Sequence, residues 1–364
     1  MDSSLRVKRI REKMAAEGVK VFLITHSSNV DYATGFDGIH DEEDPHAVII
    51  TPDKAFFLTD SRYIEVATKQ AATSEYEVIC TTAVLADEVA HNIKDLGEKA
   101  CAIEGGISHR AFCAYEKKCS PIELVVADGW VEKIRYQKSD EEIERIAAAQ
   151  AVTDKAFAHI CSFIKEGMTE REIAVELEYA MKRLGADRIA FETIVASGPN
   201  GSLPHCVPGD RKACRGDFIT MDFGAEVAGY KSDMTRTVAV IEISDEKKKI
   251  YDTVFAANAA GSAAVQAGVS GKDVDSAARQ VIEDAGFGKF FGHGLGHGVG
   301  LDIHEGPNAS PRSVDVLKAG DIITIEPGIY LAGDCGVRIE DLVEVREGGA
   351  RIFTQSPHEL VFVG

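Results

Sequence analysis

The sequence predicts an α+β protein of two domains, and three observations lead to this prediction. The chain has 364 residues, whereas a single domain commonly holds roughly 100–200. Helices and short strands alternate in the first third, but long helices precede the strands in the remainder. Hydrophobic residues make up 45% of the chain, which is sufficient for a sizeable core. We therefore expect one domain over 1–130 and a larger one over 131–364.

The first domain is expected to be a smaller α/β unit with a mixed sheet. Apolar residues at helical spacing predict a helix over 4–17. Pro52, Asp53 and Lys54 form a turn signal between two apolar runs, which predicts a β-hairpin. The predicted strands are 19–25, 47–51, 55–60, 76–80 and 99–103, with helices near 83–95 and 108–118.

The second domain is expected to begin after a break in the pattern near 125–137. Ser139 precedes three acidic residues and is a good N-cap for a helix that runs towards Ile164. Thr169 and Glu172 match a capping box, which predicts a second helix to about residue 184. Further helices are predicted near 244–267 and 271–285, and strands within 191–200, 217–240, 321–330 and 336–345.

Charge and cysteine usage argue against several functions. The chain carries 40 Lys and Arg against 59 Asp and Glu, a formal net charge of -19, so it repels nucleic-acid backbones and anionic membrane surfaces. No apolar stretch approaches the roughly 20 residues of a membrane span, and the charged N-terminal segment does not resemble a secretory signal. The eight cysteines are scattered without a CxxC pair, which indicates reduced thiols. We expect a cytoplasmic protein that binds neither nucleic acid nor membrane.

Four carboxylates lie in apolar β-segments, where charged side chains are rarely buried without a partner. Asp222 and Asp233 belong to one predicted hairpin, and Glu326 and Glu340 lie in the last two predicted strands. Each alone is more often a turn residue or half of an ion pair, for instance with Arg338. If they converged, they would repel one another strongly unless cations neutralised them.

A glycine-rich segment, FGHGLGHGVGLDIHEGP, carries His293, His297 and His304. A lone histidine is more often structural, but three so close together on a segment whose glycines let the backbone approach a site favour function. The segment matches neither a nucleotide-binding loop nor the HExxH zinc motif. Two Asp, one His and two Glu suit two hard divalent ions, Mn²⁺ or Co²⁺ first with Zn²⁺ as an alternative, and paired ions promote hydrolysis.

The motifs MDFGAEVAGYKSDMTRT, HGLGHGVGLDIHEGP, TIEPGIY and VRIED together resemble those of the dinuclear-metal pita-bread peptidases. This family includes Xaa-Pro aminopeptidases, prolidases and methionine aminopeptidases, and the resemblance covers about residues 140–364. It implies a C-terminal pita-bread domain, with a curved, mostly antiparallel sheet flanked by helices. NVDYATGF (29–36) and LTDSRY (58–63) resemble the creatinase-type N-terminal domain, which methionine aminopeptidases usually lack.

The resemblance also implies a role for each candidate side chain. The implied metal ligands are Asp222, Asp233, His297, Glu326 and Glu340. Glu326 would double as the general base, and His304 would polarise or stabilise the scissile carbonyl group. His205 would help to hold the substrate or its leaving group, and His293 would line the proline subsite. Arg338 would support the ligands or contact the substrate.

Three neighbouring residues complete the prediction. Thr235 and Thr324 are candidates to hydrogen-bond ligating carboxylates and fix their orientation, although an ordinary strand threonine is an equally good interpretation of each. Cys206 lies beside His205, which suggests a thiol nucleophile. No other triad residue accompanies it, so we expect its replacement by serine to preserve turnover.

The preferred function is a metal-dependent Xaa-Pro aminopeptidase that acts on proline-containing peptides as a homodimer. Many prolidases, which are the alternative, have an arginine shortly after the HE-x-P segment that can meet the carboxylate of a dipeptide. Here Asn308 follows Pro307 and the next arginine is Arg312, which favours the aminopeptidase. An alternative from another class is a non-catalytic pita-bread binding module, and a metal-free creatinase-like hydrolase shares the fold. The complete set of ligands argues against both.

Overall fold

The computed structural model describes residues 3–36 and 46–364. The chain divides into two units, Met1–Arg135 and Tyr136–Gly364, each with its own sheets and its own apolar core. Among the helices within the two described ranges, none has the length and apolar character that crossing a bilayer requires.

The N-terminal unit is built on one six-stranded mixed sheet. Its strands are β1 (Phe22–Ile24), β2 (Ala47–Ile50), β3 (Ala55–Thr59), β4 (Tyr76–Cys80), β5 (Ala100–Glu104) and β6 (Glu123–Ala127). Its helices are α1 (Ser3–Ala16), α2 (Ser27–Thr34), α3 (Ile64–Ala71), α4 (Leu85–Asp95), α5 (His109–Cys119) and α6 (Trp130–Arg135). The strand order is β4-β3-β2-β1-β5-β6, in which β2 is antiparallel to both of its neighbours and the other pairs are parallel.

Helix α2 is absent from the sequence prediction, and the structure gives the reason. Its N-cap residue, His26, makes no side-chain capping hydrogen bond, so the local start signal is missing. The buried carboxylate of Glu104, at the end of β5, instead accepts the backbone N–H groups of Thr25 and His26 at 2.6 and 2.8 Å. A residue distant in sequence therefore caps this helix.

The C-terminal unit combines long helices with antiparallel sheets. Its strands are β7 (Arg188–Ile189), β8 (Ile194–Ser197), β9 (Phe218–Phe223), β10 (Ala225–Val227), β11 (Tyr230–Lys231), β12 (Met234–Val240), β13 (Gly296–Gly298), β14 (Glu305–Ala309), β15 (Ile322–Ile325), β16 (Gly328–Leu331), β17 (Cys335–Arg338), β18 (Asp341–Arg346), β19 (Gly349–Ile352) and β20 (Phe362–Val363). Its helices are α7 (Asp140–Phe163), α8 (Glu170–Arg183), α9 (Asp245–Ala264) and α10 (Gly271–Asp284).

Two of the sheets in this unit carry most of the candidate site. Their strand orders are β20-β12-β9-β8 and β14-β13-β15-β18-β19, accompanied by the β16–β17 pair and by the small β11-β10-β7 sheet. Every pairing is antiparallel except that of β12 with β20. The expected α+β class, with a mostly antiparallel C-terminal sheet flanked by helices, is confirmed.

The helices of this unit start where the sequence predicts. Ser139 and Thr169 both form complete capping boxes, with Glu142 and Glu172 respectively. Helices α7 and α8 bury their apolar residues against β8, β9 and β12. Helices α9 and α10 do the same against strands β15 to β18. The two sheets are therefore held by separate helix pairs, and the candidate site is built from the strands of both sheets.

Candidate metal centre

A cavity of about 570 Å³ in the C-terminal unit brings the predicted site residues together. The side chains that were singled out from the sequence and that line it are Asp222, Asp233, His297, Glu326, Glu340, His205, His293, His304 and Arg338. None of those predictions falls outside this cavity. The chemistry of the cavity depends on how each strand orients its side chain towards it.

The two aspartates share one face of the β9–β12 pair. Asp222 on β9 lies opposite Thr235 on β12 in the strand register. Asp233 precedes Thr235 by two residues, and side chains two residues apart in an extended chain point to the same face. The hairpin therefore turns both carboxylates towards the cavity.

The two glutamates meet at one end of the β15–β18 pair. Glu326 directly follows β15 and Glu340 directly precedes β18, and these strands are antiparallel. Thr324 Oγ1 donates a hydrogen bond to Glu326 Oε1 at 3.3 Å, and Thr235 Oγ1 donates to Glu340 Oε2 at 2.7 Å. The hydrogen bonds predicted for the two threonines are confirmed, and they orient the carboxylates.

His297 reaches the carboxylates because glycines flank it on β13. A Cβ atom at Gly296 would lie 1.9 Å from the carbonyl oxygen of Thr324, and one at Gly298 would lie 2.2 Å from that of Gly306. Neither position accepts a side chain without displacing backbone. The backbone N–H of His297 also donates to Thr324 Oγ1 at 3.1 Å, so the threonine that orients Glu326 fixes the histidine too.

The donor atoms of the group lie at distances that a cation can bridge. His297 Nε2 is 3.6 Å from Asp233 Oδ2 and 3.4 Å from Glu326 Oε1. One ligand atom from each of Asp233, His297 and Glu340 lies within 4.8 Å of the others. Oxygen donors with one imidazole nitrogen are a set that suits hard or borderline divalent cations.

Arg338 is the one Lys or Arg among the described residues that line this cavity. It donates to Asp222 Oδ2 at 2.6 Å, to Thr235 Oγ1 at 2.9 Å and to the Tyr330 hydroxyl at 2.9 Å. The other oxygen of Asp222, Oδ1, is buried and has no hydrogen-bond partner among the described residues. One guanidinium therefore faces four carboxylates, and an acceptor remains that a cation would satisfy.

The pKa values express the same excess of negative charge. Burial raises the pKa of Asp233 well above its usual range, and the charges of Glu340 and Asp222 raise it further. Burial likewise raises the pKa values of Glu340 and Glu326, against the opposing effect of Arg338. Buried carboxylates without enough counter-charge are costly. The residues therefore fit a divalent-metal site, where bound cations would remove this cost.

The two inner histidines are held neutral. Burial is the main cause that lowers the pKa of His293 and of His297 to about 4. His297 Nδ1 lies 3.0 Å from the Gly298 carbonyl oxygen, so this nitrogen carries the proton and Nε2 keeps its lone pair for a cation. His293 Nδ1 likewise faces the Gly294 carbonyl at 2.7 Å, and its Nε2 accepts from the Tyr330 hydroxyl at 2.9 Å.

The two outer histidines lie on the accessible side of the cavity. The ring centroid of His304 is 4.4 Å from that of His297, and partial burial lowers the pKa of His304. His205 follows the short 3₁₀ helix Gly198–Ser202. Both side chains are exposed, which suits groups that contact a substrate rather than hold a buried ion.

Glu170 is a supporting residue that the sequence did not reveal. It is fully buried at the start of α8 and accepts hydrogen bonds from Ser197 N and Oγ, Asn200 Nδ2 and Gly209 N. These contacts bracket the loop that carries His205. Because Glu170 follows the Thr169 N-cap, its sequence context indicates only a first-turn acid.

Tyr330 lines the cavity and has a signal in the sequence, although it is absent from the predicted site residues. It lies four residues after Glu326 in TIEPGIY, at the even spacing that keeps extended side chains on one face. Its hydroxyl joins His293 to Arg338. Phe191 and Ile194 add apolar side chains to the cavity wall, while Asn308 and Ser310 add neutral polar groups. Of these four residues, only Asn308 was singled out from the sequence.

Two family models match the sequence. The model for metallopeptidase family M24 matches residues 144–347, and that for the creatinase/prolidase N-terminal domain matches residues 6–137. These two matches fall on the C-terminal and N-terminal units respectively.

Proteins with known names resemble the chain along most of its length. A protein named Xaa-Pro dipeptidase from Pyrococcus furiosus is 41% identical over 274 residues, which are 75% of this chain and 77% of that protein. A solved structure named Xaa-Pro dipeptidase from Bacillus anthracis is 39% identical, covers 100% of both chains and superposes with a TM-score of 0.94. A solved structure named X-Pro aminopeptidase from Thermotoga maritima is 37% identical, also covers 100% of both chains and has a TM-score of 0.89.

Proposed function

Because this chain belongs to metallopeptidase family M24, we propose that it hydrolyses the bond between an N-terminal residue and proline. The resemblance to the pita-bread metallopeptidases that the sequence indicated is confirmed, and the chain is a metal-dependent peptidase of that family. The observation that carries the proposal is the cavity in which four carboxylates and His297 face one another, with Arg338 as the one guanidinium among the described lining residues.

Between the two forms of this activity, the dipeptidase is the better supported. The sequence favours the aminopeptidase because Asn308 follows Pro307 and the next arginine is Arg312. Relatives that match most of this chain carry the name Xaa-Pro dipeptidase, among them the Bacillus anthracis structure at a TM-score of 0.94. An arginine shortly after the HE-x-P segment is therefore a weaker criterion than overall similarity, and neutral donors such as Ser310 line the cavity and can meet a carboxylate.

The proposed metal ligands come from the strands of two different sheets. The ligands are Asp222 and Asp233 from the β9–β12 pair, His297 from β13, and Glu326 and Glu340 from the ends of β15 and β18. When bound, two divalent ions supply Lewis acidity and a nucleophile at neutral pH. We propose Mn²⁺ or Co²⁺, since oxygen donors dominate the set, with Zn²⁺ as the alternative.

The remaining chemistry belongs to the side chains. Glu326 takes the proton that the attacking water releases and passes it to the proline nitrogen as the C–N bond breaks. His304 and His205, on the accessible side, donate hydrogen bonds to the carbonyl oxygen and to the carboxylate of the leaving group.

The proline subsite is proposed where the aromatic and apolar wall meets His293. The neutral ring of His293 packs edge-on to Phe291, with centroids 5.0 Å apart, and hydrogen-bonds Tyr330. Phe191 and Ile194 contribute further apolar surface. The pyrrolidine ring of proline fits such a wall because it is apolar. The proline nitrogen in an Xaa-Pro bond also carries no N–H group that would need a hydrogen-bond acceptor.

A second candidate is the Xaa-Pro aminopeptidase that accepts longer peptides. Similarity to the Thermotoga maritima structure favours it, together with the engagement of Arg338 by Asp222, which leaves no uncommitted guanidinium among the described cavity residues. The non-catalytic binding module is disfavoured because every proposed ligand position carries a donor side chain.

We also propose a cytoplasmic homodimer with domains over 1–130 and 131–364. All eight cysteines are free thiols, which suits a reducing compartment. The family matches that end at 137 and begin at 144 support a boundary in this region. The dimer is carried by family resemblance, and light scattering of the purified protein tests it.

The deciding experiment compares Xaa-Pro dipeptides with Xaa-Pro-Yaa peptides in the presence of Mn²⁺ or Co²⁺, with metal content measured on the same preparation. We expect dipeptide cleavage with two ions per chain, and Glu326→Gln should abolish it while retaining the fold. Cleavage of only the longer peptides would move the assignment to the aminopeptidase. Absence of both bound metal and hydrolysis would favour the binding module.

A further inference from the structure

We propose that Asp275 and Arg279 of α10 are positioning residues that hold the glycine-rich segment 291–297 in the shape that delivers His293 and His297 to the cavity. This inference rests on the proposed function for its kinetic consequences. Its structural part concerns only contacts within the C-terminal unit and is tested separately below.

The two residues form a clamp on one turn of helix. Arg279 Nε donates to Asp275 Oδ2 at 2.8 Å and Arg279 Nη2 donates to Asp275 Oδ1 at 2.9 Å, a bidentate geometry. Asp275 is 1% exposed. Exposed ion pairs at i,i+4 spacing contribute little to stability. Because Asp275 is buried, this pair differs from such a surface pair.

The clamp's outward hydrogen bonds reach alternate residues of the segment. Arg279 Nη1 donates to the Phe291 carbonyl oxygen at 3.0 Å, and Nη2 donates to that of His293 at 2.7 Å. Asp275 Oδ1 accepts the backbone N–H of Leu295 at 3.0 Å. The guanidinium carbon also lies 4.1 Å from the centroid of the Phe291 ring, a cation–π distance.

The same contacts continue to a proposed catalytic carboxylate. The carbonyl oxygen of Leu295 accepts the backbone N–H of Glu326 at 2.8 Å. Leu295 therefore connects Asp275 on the helix to the residue after β15. His297 comes two residues later on the same segment, so a displacement at Leu295 moves both a proposed ligand and the proposed base.

A glycine-rich segment needs such an external clamp. Glycines 292, 294 and 296 alternate with Phe291, His293 and Leu295, and glycine loses more conformational freedom on ordering than any other residue. Before the short strand β13 begins at Gly296, residues 291–295 belong to no helix or strand. Asp275 and Arg279 supply hydrogen bonds to the backbone of this segment, as a neighbouring β-strand would in a sheet.

The test uses Arg279→Met, Arg279→Lys and Asp275→Asn, with Lys248→Met as the matched control. Lys248 forms an i,i+4 pair with Asp252 on α9, and both side chains are about half exposed. Amide hydrogen exchange of 291–297 is measured first, on metal-free protein without substrate. We expect exchange at least tenfold faster in Arg279→Met and Asp275→Asn, an intermediate value in Arg279→Lys, and no change in the control.

Metal affinity and kinetics then test the consequence for the site. Titration with Mn²⁺ should show a loss of affinity of about tenfold in Asp275→Asn. Replacing a residue that supports a metal ligand typically lowers metal affinity by about 10–100-fold. With an Xaa-Pro dipeptide, Arg279→Met should raise KM at least fivefold and change kcat less than threefold. The lost hydrogen bond is to the backbone of His293, which is proposed to line the proline subsite and is not a proposed metal ligand.

The outcomes separate this inference from the proposed function. Faster exchange confined to 291–297 supports the clamp even if the wild-type protein hydrolyses no Xaa-Pro peptide. Wild-type exchange in both Arg279→Met and Asp275→Asn overturns it, whatever the activity. Should either variant unfold, Arg279→Lys provides the same comparison, and exchange that rises uniformly along the chain would also overturn the clamp.

Discussion

Glu340 and Asp341 are adjacent in sequence and both buried, yet they lie in opposite electrostatic surroundings. Glu340 faces the cavity, where burial and the charges of Glu326 and Asp222 raise its pKa well above the usual range. Burial alone would raise the pKa of Asp341 too, but Arg236 and His358 overcome that effect and bring the pKa below its usual value.

Asp341 belongs to a charge cluster that is complete within the protein. Its Oδ1 accepts from Arg236 Nη2 at 2.8 Å and its Oδ2 lies 2.7 Å from His358 Nε2. Arg236 is 1% exposed, and its other N–H groups donate hydrogen bonds to backbone carbonyl groups, including those of Glu340 and Thr235. The structural carboxylate is thus neutralised internally, while its neighbour is left for an external cation.

This difference separates a structural charge from a functional one. A buried carboxylate–guanidinium pair is destabilised strongly when one partner is removed, whereas a buried carboxylate among other carboxylates costs stability until a cation binds. The predictions below test whether the two neighbours behave in these opposite ways.

The largest effect is expected from Glu340→Gln. It should lower hydrolysis by several orders of magnitude and weaken Mn²⁺ binding, because a proposed ligand loses its charge. The metal-free protein should be as stable as wild type or more stable, since a repelling charge is gone while Gln can still accept from Thr235 Oγ1. Steady-state kinetics and urea unfolding of metal-free protein measure the two parts. A marked loss of metal-free stability would contradict the comparison.

Asp341→Asn is expected to act in the opposite direction on stability. Removing its charge leaves the Arg236 guanidinium buried without its carboxylate, which should cost about 3 kcal/mol in the free energy of unfolding. The control is Glu344→Gln on the same strand, whose partners Arg346 and Arg351 are about half exposed; it should cost at most about 1 kcal/mol.

The contribution of Asp341 also has a defined pH dependence. Because the folded pKa is lowered, the stabilisation is present above the unfolded value of about 4 and is lost as the pH falls through the lower folded value. The stability difference between wild type and Asp341→Asn should therefore narrow below about pH 4. A difference that stays constant down to pH 2 would assign the loss to packing.

Metal binding should stabilise the protein more at higher pH. The carboxylates Asp233, Glu326 and Glu340 have raised folded pKa values, so the metal-free protein gains stability as the pH falls towards about 6.5 and protons neutralise them. Bound ions must displace those protons. The increase in Tm on adding Mn²⁺ should therefore be larger at pH 8 than at pH 6.5. Below that range His293 and His297 act in the opposite direction, because their folded pKa values are lowered to about 4.

The smallest effect is expected from Cys206→Ser. Burial raises the pKa of the Cys206 thiol, which disfavours the thiolate that a nucleophile requires. Turnover should stay within about threefold of wild type, equivalent to roughly 0.7 kcal/mol. Loss of activity with both metals still bound would show that the thiol takes part and would weaken the carboxylate-centred mechanism.

Much of the site was accessible from the sequence because its side chains stand in distinctive contexts. Asp222 and Glu326 interrupt apolar strands, and His297 lies between glycines. Such local anomalies are visible without coordinates, and the structure places them in one cavity. The partners of Arg338 were not visible in this way: an ion pair with one of the nearby glutamates was the simple expectation, whereas its guanidinium bonds Asp222 on another sheet.

The sequence by itself determined the long helices of the C-terminal unit, the capped starts of α7 and α8 and the residue types that a divalent-metal site requires. These features follow from interactions within a few residues, which periodicity and capping patterns record directly. Only the tertiary structure decided that Glu340 faces the cavity while Asp341 meets Arg236, that Glu170 holds the His205 loop, and that α10 reaches the glycine-rich segment. Those contacts join residues distant in sequence, and burial and counter-charge, which set their energies, exist only after the sheets and helices have packed.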